Sequence, residues 1–79
     1  MDKAKDKAEN PADVYCDLKT ILDDRKMSIR QLAEKSGLKF ETVRRLYNDD
    51  TKQYQRHSIA AVCKTLNIDV ADLLKLRVK

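Results

Sequence analysis

The chain has 79 residues, 42% hydrophobic and 38% charged, with one glycine, one proline, no tryptophan and a net charge of +4. A chain of that length holds one small core, burying about 60% of the surface its unfolded form exposes. That excludes the deep inter-lobe cleft most enzymes need. So few breakers among so many charges, with 5% aromatics and no run of β-branched residues, predict an all-α fold.

Charge is unevenly spread. Residues 1–24 hold four lysines against seven acids, 25–56 nine Lys/Arg against four acids, and 57–79 four against two. A basic centre after an acidic start fits a face meant for a polyanion, although an ordinary solvated surface would look the same. Cys16 and Cys63 lie among apolar residues and read as small, reduced core side chains, and His57 is too far from either for a zinc spacing. No nucleophile stands with a base and no glycine-rich phosphate loop is present, so neither an enzyme nor a cofactor is expected. No apolar run approaches the roughly 18 residues of a membrane helix, and Met1 is followed by charge, which predicts a cytoplasmic protein.

In chain order, residues 1–10 read as a flexible charged tail, whose Lys3, Lys5 and Lys7 could brush a phosphate backbone, and residues 11–79 as the folded domain. Asn10-Pro11 reads as a helix start. Val14, Leu18, Ile21 and Leu22 then form the apolar stripe of a first helix that ends near Arg25. The clearest local signal is Met27-Ser28-Ile29-Arg30-Gln31-Leu32. Ser28 and Gln31 are spaced for a capping box and Met27 and Leu32 for a hydrophobic staple, so a second helix starts at Ile29. Gly37 falls where its C-terminus needs a left-handed residue.

A third helix is predicted over residues 40–48. Helical projection puts Phe40, Val43, Leu46 and Tyr47 on one side and Glu41, Arg44, Arg45 and Asn48 on the other. Residues 49–56 are a polar connection. Ile59, Val62, Cys63 and Leu66 mark a fourth helix that Asn67 can close. Asp69 caps a short fifth, with Asp72 in its first turn and Leu73, Leu74 and Leu76 apolar.

A short helix, a glycine turn and a helix with a charged outer face outline a helix-turn-helix. Its core would be Leu32, Ala33, Gly37, Leu38, Val43 and Leu46. At this point the stretch SIRQLAEKSGLKFETVRRLYND, continued by SIAAVCKTLNIDVADLL, resembles the phage-repressor (Cro/cI-like, XRE) helix-turn-helix family. The likeness covers about residues 14–76 and implies a five-helix, lambda-repressor-like DNA-binding domain with the motif at helices 2 and 3.

What the resemblance implies is a transcriptional regulator, usually a repressor, that lays its second motif helix in the major groove of double-stranded DNA. The base-reading positions then fall at Lys39, Phe40, Glu41, Thr42, Arg44 and Arg45. Arg45 is the foremost, because a guanidinium can bond guanine O6 and N7 together. Glu41 and Arg45, four apart with the acid first, would also stabilise the helix with no DNA involved. Phe40, beside Val43, favours partial packing over base contact. Phosphate contacts are implied at Ser28, Ile29 and Arg30, where a helix N-terminus attracts an anion, and at Lys52, Tyr54, Gln55 and Arg56, with Arg25 and Lys26 on the flank.

The sequence departs from the family pattern in three places. Ile29 replaces a frequent Gln, Lys39 a Ser or Thr cap, and Arg56-His57 an acid ahead of helix four. The last two raise positive charge and leave the operator sequence unpredictable. Family members usually bind as two-fold dimers, and Leu74, Leu76 and Val78 are more apolar surface than one terminal helix needs, which predicts a homodimer contact there. No effector domain or small-molecule ligand is expected. The competing reading is a protein-interaction module on the same fold, an antitoxin or a docking subunit, for which an apolar rather than cationic outer face would be needed.

Overall fold

A computed structural model describes residues 12–78. Strand β1 (Ala12–Cys16) is followed by helices α1 (Leu18–Arg25), α2 (Ile29–Ser36), α3 (Phe40–Tyr47), α4 (Arg56–Leu66) and α5 (Val70–Leu73), and strand β2 (Leu74–Val78) closes the chain. The five helices stand in the predicted order. The all-α expectation is corrected by a two-stranded antiparallel sheet that pairs Ala12 with Val78 and Cys16 with Leu74.

The helix expected from residue 11 starts only at Leu18. The tail and the Asn10-Pro11 start lie outside the described residues, but residues 12–16 are extended. Their apolar members recur with period two, and Ala12, Val14 and Cys16 share one face of the sheet with Leu74, Leu76 and Val78. The fifth helix is likewise a single turn. The alternation Leu74-Lys75-Leu76-Arg77-Val78 continues it as a strand, so the predicted dimer residues lie on a ribbon and not on a helix.

The core collects Leu18 and Leu22 of α1, Leu32 and Ala33 of α2, Val43 and Leu46 of α3, and Ile59, Val62, Cys63 and Leu66 of α4. Leu73 and Cys16 complete it. Each helix end is fixed locally. Lys26 and Asn67 close α1 and α4 in the left-handed region (φ 56° and 57°). Asn48 ends α3 while still right-handed, and the left-handed turn falls one residue later at Asp49 (φ 55°). The Asp72 carboxylate accepts from the Asp69 amide at 3.0 Å, which starts α5. No helix among the described residues is long and apolar enough to cross a membrane.

Both cysteines are buried with free thiols, Cys16 on the strand and Cys63 on α4. Burial pushes the Cys16 thiol up to about 11 from its ordinary 9.0, and Cys63 is raised for the same reason. The folded-state value of Cys16 is the raised one, so its burial stabilises the fold below pH 9.0, and that contribution is lost as pH climbs towards 11. Neither thiol should therefore react with a maleimide at neutral pH until the protein opens. Labelling followed by mass across a denaturant series should track the unfolding transition; rapid labelling of native protein would refute this.

Candidate nucleic-acid interface

The elbow between α2 and α3 is built from short-range chemistry. Ser28 Oγ accepts from the Gln31 amide at 3.0 Å, and the Ser28 amide donates to Gln31 Oε1 at 2.8 Å, the reciprocal pair that the sequence predicted. At the far end Gly37 takes φ 79°, and its amide donates to the Ala33 carbonyl at 3.0 Å. A Cβ at Gly37 would meet nothing within 4 Å, so glycine is needed there for its backbone conformation and not for space. Leu32, Ala33, Val43 and Leu46 are buried across the joint and Leu38 packs against them, so all six predicted elbow residues take part.

Helix α3 thereby presents a fixed outer surface. Lys39, Phe40, Glu41 and Arg45 are exposed on it, and Thr42 and Arg44 are half-buried. Lys39 stands at the N-cap with no side-chain hydrogen bond, as a residue without an acceptor must. Phe40 does not pack inward. As the first residue of α3 it is 46% exposed, and the Arg30 guanidinium lies over its ring, 5.8 Å from the centroid.

The charges on α3 sort themselves in a way that spacing alone left open. Glu41 gives both carboxylate oxygens to Arg44. Arg44 Nε donates to Oε1 at 3.0 Å and its Nη2 donates to Oε2. Arg45 reaches the same carboxylate only through Nε, at 3.5 Å, so its two terminal nitrogens point past the pair. The Arg44 hydrogen bond holds the Glu41 carboxyl below the usual carboxylate range. Arg44 therefore carries a neutralised fork and Arg45 an open one.

A groove beside α3 is lined by Thr42, Arg45, Thr51, Gln53, Gln55 and Ser58. Of the expected phosphate contacts, Arg30, Lys52, Gln55 and Arg56 are exposed around the elbow and this loop. Ser28 is exposed but its hydroxyl is committed to the cap, and the side chain of Ile29 packs against the core. Tyr54 is largely taken up by the fold. Its ring packs on the core and its hydroxyl donates to Asp49 Oδ1 at 3.2 Å; burial, reinforced by Asp49, raises the phenol to about 12.

Two further supports of α3 went unnoticed in the sequence. Tyr47 Oη donates to Asp23 Oδ1 at 2.7 Å, and Lys19 Nζ donates to Asp23 Oδ2 at 3.2 Å, so the last turn of α3 is fastened to α1. Asp49 Oδ1 accepts from the Cys16 amide at 3.0 Å as well as from Tyr54, tying β1 to the loop that leaves α3. The i, i+4 spacing of Lys19 and Asp23 was a visible signal, whereas Asp49 had none.

The folded and capped elbow with a charged outer helix defines a helix-turn-helix protein. Residues 17–78 match the model of the Cro/C1-type HTH DNA-binding domain, and the chain belongs to that family. Among solved structures it is similar to a protein from Bacteroides fragilis assigned as DNA-binding. The two are 24% identical over 80% of this chain and 100% of that one, with a TM-score of 0.68, a likeness of fold. It is also similar to the transcriptional regulator VanUg, 25% identical over 91% of this chain and 95% of that one, with a TM-score of 0.67. No curated protein matches.

Proposed function

We propose that this chain is a sequence-specific transcriptional regulator that lays α3 in the major groove of its operator and represses by occupying it. The observation that carries this reading is the outer surface of α3: a rigid helix with an open guanidinium at Arg45 beside a groove of neutral hydrogen-bonding side chains. Arg45 and Thr42 read base edges, Lys39 and Phe40 stand at the entry to the groove, and the Glu41–Arg44 pair shapes the ridge between them. The similarity to VanUg, a transcriptional regulator, supports the same role.

Backbone phosphates are met by the free amides at Ser28, Ile29 and Arg30 and by the side chains of Arg30, Lys52, Gln55 and Arg56. A two-fold homodimer sets two such helices on successive major-groove half-sites. A protein-docking role fits this surface poorly, since Phe40 is the only large apolar side chain that α3 exposes.

Selection of bound duplexes from a random pool at two salt concentrations tests the proposal. Enrichment of one motif is expected at both, with affinity falling by about 0.9 log units per log unit of salt for every phosphate neutralised. Binding without any enriched motif would sink the sequence-specific reading.

A further inference from the structure

The ribbon has two edges, and the molecule treats them differently. The Asp17 amide donates to the Leu73 carbonyl at 2.8 Å, which fixes the phase of the ladder: odd-numbered residues of both strands turn their backbone groups towards each other. The even-numbered residues face outward. On β1 those outward amides are satisfied, Val14 by Asp13 Oδ1 at 2.9 Å and Cys16 by Asp49 Oδ1 at 3.0 Å. On β2 the Leu74 amide donates to the Val70 carbonyl, but the outward groups of Leu76 and the amide of Val78 meet no partner among the described residues. One edge is blunted and the other is left open.

We infer that the open edge of β2 binds a second copy of this chain, strand against antiparallel strand, to make a four-stranded sheet in the order β1-β2-β2-β1. This deepens the two-fold reading above and rests on it. A two-fold axis through Leu76 pairs Leu76 with itself and Leu74 with Val78 of the other copy. That register lets the Leu76 amides and carbonyls bond each other reciprocally and the Val78 amides find the Leu74 carbonyls. The sequence is self-complementary about that axis. Val14 is 48% exposed, Leu76 66% and Val78 70%, all on one face of the ribbon, so pairing runs Val14-Leu76-Leu76-Val14 across the new sheet as one apolar row. Val78 of the second copy then lies beside Leu74, where Tyr54, Ile59, Ala60 and Val70 line an apolar groove.

The opposite face supplies a signature. The same register sets Lys75 across from Arg77 of the second copy, a like-charge pair. Both are drawn back over β1: Lys75 Nζ lies 3.9 Å from Asp17 Oδ2, and the Arg77 guanidinium sits over the Tyr15 ring, 4.2 Å from its centroid. Added salt screens their repulsion, so this association tightens with salt, whereas DNA binding weakens with it.

The test uses the full chain without DNA. Light scattering should show a concentration-dependent dimer that persists or strengthens with salt. Amide exchange at Leu76 should slow about tenfold or more from dilute to concentrated protein. Leu76→Pro removes the outward amide while leaving the β1 ladder bonds, and Leu76→Lys keeps the amide but charges the apolar row; each should be monomeric with a native circular dichroism spectrum. Should Leu76→Pro fail to fold, Leu76→Lys and wild-type exchange decide. A chain that stays monomeric at every concentration, a dimer that dissolves with salt, or one whose Leu76 amide exchanges as freely as in the monomer overturns the inference. An intact dimer with no selected DNA motif would instead fail the proposed function alone.

Discussion

Replacing Leu32 with alanine should destabilise the domain by about 2–5 kcal/mol, the range for truncating a fully buried leucine. Leu32 has no exposed surface and sits on α2 within the core formed with α3 and α4. The lost side chain removes its own burial and leaves a cavity that close-packed neighbours fill only in part. Small domains have a total stability of only about 5–15 kcal/mol, so the loss takes a large share. A fall in the urea midpoint at fixed protein concentration, with the slope unchanged, would measure it. Glu34→Ala, on the exposed side of the same helix, should stay within about 0.5 kcal/mol of wild type. Equal effects at the two positions would mean that the elbow is not seated as described. DNA binding should fall with Leu32→Ala only as far as the unfolded fraction rises, because no atom of that side chain reaches the surface.

Why the elbow could be read from sequence and the ribbon could not comes down to the range of the contacts. The Ser28–Gln31 cap, the Gly37 turn and the apolar spacing of Leu32, Val43 and Leu46 are set by residues close along the chain. The sheet joins residue 12 to residue 78, and no local rule announces such a partner. Val14 was four residues before Leu18 and was counted into a helical stripe, although Leu74-Lys75-Leu76-Arg77-Val78 already alternated with the period of a strand. The site divides the same way. Spacing allowed Glu41 to pair with Arg44 or Arg45, and side-chain geometry settled it in favour of Arg44. Projection at 100° per residue put Phe40 beside Val43, but a side chain on the first turn has no preceding turn beneath it, and Phe40 leans out under Arg30. Tyr47 and Asp23 are far apart in sequence, so their bond could not be foreseen.

The partition of charge on α3 makes Arg45 and Arg44 unequal, and that inequality can be measured. Arg45→Ala should abolish preference at one base pair of the selected operator, costing about 1–3 kcal/mol there, roughly 5- to 150-fold, while binding to unrelated duplex changes far less. The reason is geometric. Recognition of guanine O6 and N7 takes two parallel donors, and Arg45 keeps both terminal nitrogens because Glu41 engages only its Nε, at 3.5 Å. Arg44 spends Nε and Nη2 on the same carboxylate, so Arg44→Ala should weaken binding modestly and alike on every sequence. Arg45→Lys separates charge from shape: it keeps the cation, and hence the salt slope, but loses the fork and with it the preference for guanine. Glu41→Gln should release Arg44, whose added positive charge tightens non-specific binding and narrows the ratio between operator and random DNA. Competition binding against a panel of single base-pair changes reads all four variants. If Arg45→Ala lost affinity equally across that panel, Arg45 would be a phosphate contact, and base reading would pass to Thr42 and the groove it shares with Thr51, Gln53 and Gln55.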